Sequence, residues 1–106
     1  MVDEKFRKAL ANMCEEQQLE EDEQPIILDN MSYDGSILGV TDDNRIVYSY
    51  ESMVEELMED EGWDEADAIE WIDYNTIRAI PYMESYGKAP IILYDTKEAI
   101  LEKYGE

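Results

Sequence analysis

Histidine is absent from this sequence, and cysteine occurs once, as Cys14. The first absence removes the commonest general base, the serine and cysteine triads that depend on it, and the commonest zinc ligand. The second excludes an internal disulfide and any zinc or iron–sulfur centre built on cysteines. The five glycines are scattered, so no glycine-rich loop is available to cradle a phosphate. No apolar run approaches the roughly 18 residues that a membrane span needs. Met1-Val2-Asp3-Glu4-Lys5 lacks the basic start and apolar stretch of a secretory signal. These features point to a reducing, cytoplasmic setting. Cys14 itself falls in an amphipathic pattern and reads as a small core residue rather than a reactive thiol.

Positive charge is the other scarcity. Eight Lys and Arg stand against 28 Asp and Glu, a formal net charge of -20 in 106 residues. A domain of this length stays soluble with a net magnitude of only about 2 to 8. The excess repels itself and works against the compact state. It also repels DNA, RNA and anionic membrane surfaces, whose binders carry basic footprints. A hydrophobic content of 44% is nevertheless enough for a modest core. One folded domain spanning 1–106 is therefore expected.

The periodicity predicts an α+β fold. A first helix over 3–19 carries Val2, Phe6, Ala9, Leu10 and Met13 on one face, with Asp3 as its cap. Pro25 to Asp29 reads as a strand and Tyr33-Asp34-Gly35 as a turn. Runs 36–41 and 45–50, joined by Asp42-Asp43-Asn44, form a hairpin. Ser52 and Glu55 suit a capping box, and Gly62 stops the helix that follows. Asp64 caps a further helix to about Ala79, with Trp63 before it able to staple onto Ala68 and Pro81 ending it. Ala68, Ile69, Ile72, Thr76 and Ile80 share one face of that helix. Residues 82–89 read as a loop and 90–94 as a buried strand. A last helix beginning near Asp95 carries Ala99, Ile100, Leu101 and Tyr104. The order is α-β-β-β-α-α-β-α, a small antiparallel or mixed sheet with helices on one face. Core positions are expected at Ile37 or Leu38, Ile46 or Val47, Leu57, Ile69, Ile72 and Ile92.

Carboxylates are so numerous that a catalytic pair cannot be singled out, and no enzyme activity is expected. Asp60 to Glu65 has a superficial likeness to a calcium loop. A loop begun at Asp60 needs glycine at its sixth position and glutamate at its twelfth, where this chain has Glu65 and Trp71. Neither a metal site nor a cofactor is predicted.

The acidic stretch is the most informative feature. Between Arg45 and Arg78 lie 32 residues without Lys or Arg, and they hold 11 acids. A solvated helix face mixes signs, because opposite charges four residues apart stabilise it. Here Glu55 and Glu59, Glu56 and Asp60, and Glu61 and Glu65 are like pairs, each costing a few tenths of a kcal/mol, on the order of 0.3, where helical. Neighbouring acids on a helix lie about 5–6 Å apart, close to the phosphate spacing of a nucleic-acid strand. Glu55, Glu56, Glu59, Asp60, Glu61, Asp64, Glu65 and Asp67 thus form a candidate surface for a basic partner. Trp71 and Tyr74 are candidate anchors, with Arg78 nearby, since Trp, Tyr and Arg are the types enriched in interface hot spots. The competing reading of 71–78 is a plain helix with Ile72 and Thr76 in the core, and that of the acids is solubility alone.

Ser36 to Asp43, Met53 to Met58, Ala68 to Tyr82 and Ala89 to Ile92 together resemble a widespread family of small acidic proteins of Gram-positive bacteria and their phages. The resemblance extends over Ser36 to Tyr94, a little over half the chain, and these segments carry it. It implies a mobile-element setting and supplies no catalytic residues. By analogy with acidic nucleic-acid mimics such as anti-CRISPR proteins, it suggests an inhibitor that occupies the nucleic-acid-binding surface of a host protein. The alternative is a housekeeping or structural acidic domain.

Overall fold

The computed structural model of the protein describes residues 3–105. Val2, assigned by periodicity to the inner face of the first helix, lies outside them. Helix α1 (Glu4–Glu16) begins where the Asp3 carboxylate accepts the Phe6 amide at 3.0 Å. It ends three residues earlier than its pattern suggests, because Gln18 turns left-handed at φ 54°. Leu10 is buried and Phe6 and Met13 pack against the core, while Ala9 is exposed and Cys14 half-buried.

The segment after Pro25 is extended but is not a strand. Its ladder is a single bridge, Pro25 to Lys88. The Lys88 amide donates to the Gln24 carbonyl and its carbonyl accepts from Ile26, at 2.9 and 3.0 Å. The Leu28 amide then donates to the Tyr48 hydroxyl at 3.0 Å, so a side chain replaces the next ladder bond. Tyr33-Asp34-Gly35, expected as a turn, belongs to a 3-10 helix, Met31–Ser36, which buries Tyr33, Asp34 and Ser36. Asn30 caps it, accepting from the Ser32 amide at 3.0 Å.

Strands β1 (Ile37–Val40) and β2 (Ile46–Ser49) form the expected hairpin. Thr41 and Arg45 close it through a 2.8 Å backbone bond, and Asn44 takes φ 66°, a left-handed value that asparagine tolerates. Helix α2 (Tyr50–Glu61) starts ahead of Ser52: the cap is Ser49, whose hydroxyl accepts the Ser52 amide at 3.3 Å. Gly62, at φ 73°, ends α2 as its lack of a Cβ allows. Asp64 caps α3 (Glu65–Trp71) by accepting the Asp67 amide at 2.9 Å.

The chain does not stop at Ala79. It passes through a π-helical turn (Ile72–Thr76) and a 3-10 turn (Ile77–Ala79) into α4 (Ile80–Met83). Pro81 lies in the first turn of α4, where a missing amide hydrogen costs nothing. Tyr82 and Met83 are therefore helical rather than loop. Strand β3 (Ile91–Leu93) returns parallel to β2, pairing Val47 with Ile91, and the sheet order is β1-β2-β3. Thr96 caps α5 (Lys97–Tyr104), accepting the Ala99 amide at 3.1 Å.

The fold is α+β, with a mixed three-stranded sheet in place of the four strands expected. Ile46, Tyr48, Met53, Leu57 and Ile72 are essentially sealed from solvent, and Ile37, Ile69 and Ile92 pack against them. Burial, only partly offset by the hydrogen bond from Leu28, pushes the Tyr48 phenol up to about 12. The Tyr33 hydroxyl lies 3.4 Å from the Thr76 hydroxyl, linking the 3-10 segment to the π turn. Of the alternatives Ile37 or Leu38, Ile37 is the one packed on the core, while Leu38 is 53% exposed beside the irregular register between Ile37 and Gly39. Two apolar runs are less covered than expected. Ile91 and Leu93 are exposed because β3 lies at the sheet edge and their side of it is not covered. On α5 only Ala99 is buried, while Ile100, Leu101 and Tyr104 face solvent.

Candidate partner-binding surface

The inner stripe of α2 is Met53, Val54 and Leu57, all buried. Helical spacing then sends Glu51, Glu55 and Glu59, four residues apart, outward as one ridge, and all three are exposed. Glu56 falls on the flank and is half-buried. Asp60 and Glu61 end the helix, exposed. In α3 the buried position is Ala68, so Glu65 and Asp67 are exposed on opposite sides of it. Asp64 is exposed but occupied as a cap. Among the described residues, ion pairs engage Asp34, Asp43, Glu84 and Asp95. Glu55, Glu59, Asp60, Glu61 and Glu65 have no such partner.

The predicted acids do not form one continuous face. Glu51, Glu55 and Glu65 line a groove between α2, α3 and the sheet end, together with Tyr50, Tyr94 and Lys103. Tyr50 and Tyr94 stack there with centroids 4.7 Å apart. The Tyr50 hydroxyl donates to Asp73 at 2.7 Å. Burial and this bond push the Tyr50 phenol strongly up. Asp67 lies on the other side, in a shallow open cavity of about 290 Å³ lined by Trp63, Asp67, Glu70, Trp71, Tyr74 and Asn75.

Trp71 and Tyr74 are 45% and 66% exposed, so neither is a core residue. The ring of Trp63 meets that of Trp71 at 5.5 Å, tilted by 55°. Arg78 lies 4.6 Å over the Tyr74 ring, a cation–π contact. Tyr82, 78% exposed, extends the aromatic row onto α4. The π turn holds the row in place: it buries Ile72 and Thr76 inward, and the Asn75 side-chain Nδ2 donates to the Trp71 carbonyl at 3.1 Å.

Sequence reasoning missed Glu98 and Glu102 on α5, which join Glu51 and Glu55 around a second depression. Their spacing of four residues was the visible signal; that α5 and α2 border one depression was not visible. Trp63 was assigned only a capping role. Glu20, Asp22 and Glu23 bring carboxylate oxygens within 4.8 Å of one another, but all three residues are exposed, as in many acidic surfaces without an ion. Asp60 to Glu65 spans the end of α2 and the start of α3, so no calcium-type loop exists there. Among the described residues no helix is long and apolar enough to cross a membrane. No family model matches the chain, nor does any curated protein or solved structure.

Proposed function

We propose that the protein is a non-enzymatic, cytoplasmic interaction protein that occupies a basic nucleic-acid-binding surface of a host protein. The reading extends to an anti-CRISPR-like inhibitor encoded by a phage or other mobile element. One observation carries it: the exposed acids Asp67 and Glu70 share a cavity with the exposed Trp71 and Tyr74, and further exposed acids, Glu55, Glu59 and Glu65, stand on α2 and α3. Charges of one sign steer a cationic partner and raise the association rate, while aromatic anchors set how long it stays. Glu55, Glu56, Glu59, Asp60, Glu61, Asp64, Glu65 and Asp67 supply the field, and Trp71 and Tyr74 the anchors.

The test is competition. A partner captured at low salt is challenged with a short duplex across a salt series. The mimic must compete with the duplex and weaken as salt rises, since charges beyond about 8 Å are screened at physiological ionic strength. Reversing Glu55, Glu59 and Asp60 to Lys should mainly slow association. Unchanged binding of that triple variant, or no competition with the duplex, would favour an acidic domain whose charge serves solubility alone.

A further inference from the structure

The cavity beside α3 brings together aromatic side chains and carboxylates. Its lining includes the aromatic rings of Trp63 and Trp71, with centroids 5.5 Å apart and tilted by 55°, and that of Tyr74. It also carries the carboxylates of Asp67 and Glu70. Ring faces hold negative potential and attract cations, and carboxylates accept hydrogen bonds from them. At about 290 Å³ the space lies near the lower end of ligand pockets, suited to one side-chain head group.

We propose that this cavity binds the guanidinium of an arginine side chain presented by the basic partner. A guanidinium is planar, stacks on aromatic faces and donates several N–H groups in a fixed fork. It would lie against Trp71 and Tyr74 and donate to Asp67 and Glu70. A quaternary ammonium has no hydrogen to give those carboxylates. The chain already shows the stacking, with Arg78 at 4.6 Å from the Tyr74 ring. The inference rests on the proposed function in drawing the arginine from a protein partner, but its chemistry is readable without one.

Trp63 and Trp71 are the only tryptophans, so the emission of the intact protein reports on this cavity directly. N-acetyl-arginine amide is titrated at fixed ionic strength, in parallel with the lysine analogue and tetramethylammonium. A saturable change is expected with the arginine probe, tighter than with either comparator. Tyr74→Ala, which keeps both reporters, should weaken it about fivefold, the factor of one cation–π contact. Asp67→Asn with Glu70→Gln should weaken it further. Glu20→Gln with Glu23→Gln, remote from the cavity, should leave it unchanged. No saturable change, equal binding of tetramethylammonium, or an equal loss in the remote variant would overturn the proposal. Because no partner is present, this titration can succeed while the duplex competition fails, and the reverse.

Discussion

Arg7 takes both oxygens of the buried Asp34 carboxylate, Nε lying 2.6 Å from Oδ2 and Nη2 2.8 Å from Oδ1. The Asp3 amide donates to the same Oδ2 at 3.1 Å. A carboxylate in the 3-10 segment thus fastens the first turns of α1 to the rest of the domain. Asp34→Ala removes these charge-assisted hydrogen bonds and leaves the partly exposed Arg7 to the solvent, at an expected cost of about 2 kcal/mol. Urea denaturation checks this against Asp43→Ala, which breaks the exposed pair with Arg45; an equal loss from both would contradict the assignment.

The same carboxylate sets a limit in acid. Burial pushes Asp34 up, but the Arg7 hydrogen bond, the Asp3 amide and the guanidinium charge outweigh it and hold the group below its ordinary 3.8. A folded-state value below the unfolded one means stability present above about pH 3.8 and lost as pH falls through the folded value. Between pH 7 and about 5 the opposite trend is expected, because protonation begins to relieve the repulsion of the clustered acids. Thermal melts in low salt should therefore rise and then fall on acidification. Asp34→Asn should flatten the acid limb; a limb of unchanged steepness would refute this role.

Ser36 is buried, and its hydroxyl has no hydrogen-bond partner among the described residues. An unsatisfied buried hydroxyl is a cost that alanine removes. Ser36→Ala should stabilise the domain by about 1 kcal/mol, read as a higher denaturation midpoint with an unchanged slope. A clear loss of stability would reveal a partner for the hydroxyl.

Gly87 is a point of close approach. A Cβ there would lie 2.8 Å from Ile26 Cγ1 and 3.1 Å from the Gln24 carbonyl. Gly87→Ala should cost about 1–3 kcal/mol through overcrowding and speed amide exchange at Ile26 and Lys88. Gly39→Ala, where a Cβ meets nothing within 4 Å, is the comparison and should change stability far less.

Along one helical path, core and surface alternate closely enough to be separated by mutation. Ile72→Ala should cost about 2–5 kcal/mol, as for a buried aliphatic side chain. Tyr74→Ala, two residues on, loses mainly its contact with Arg78 and should leave the melt nearly unchanged. A Tyr74 variant as destabilised as the Ile72 variant would mean that Tyr74 is structural and not available to a partner.

Much of this was legible in the linear pattern. Asp3 and Asp64 cap helices, Gly62 ends one, Asp42-Asp43-Asn44 turns the hairpin, and Leu57 and Ile72 are core, because each depends on neighbours a few residues away. The candidate acids were also readable, since helical spacing alone sends Glu55 and Glu59 away from Leu57. The segment after Pro25 was misread because its hydrogen bonds go to Lys88 and to the Tyr48 hydroxyl, distant in sequence. The exposure of Ile91, Leu93 and Ile100 was equally hidden: an apolar run does not say whether a layer will cover it.

The sequence by itself determined the α+β class, the caps at Asp3 and Asp64, the hairpin turn, and an acidic outer face on α2, since local periodicity and side-chain chemistry control each of these. Only the tertiary structure decided that β3 runs parallel beside β2, that Arg7 reaches Asp34, and that Trp63 and Trp71 line a shallow cavity with Asp67 and Glu70. Those relationships require chain segments to meet in three dimensions. Which segments meet depends on how the whole core packs, and the π turn at Ile72–Thr76 changes the direction of the side chains beyond it in a way that a fixed helical period does not convey.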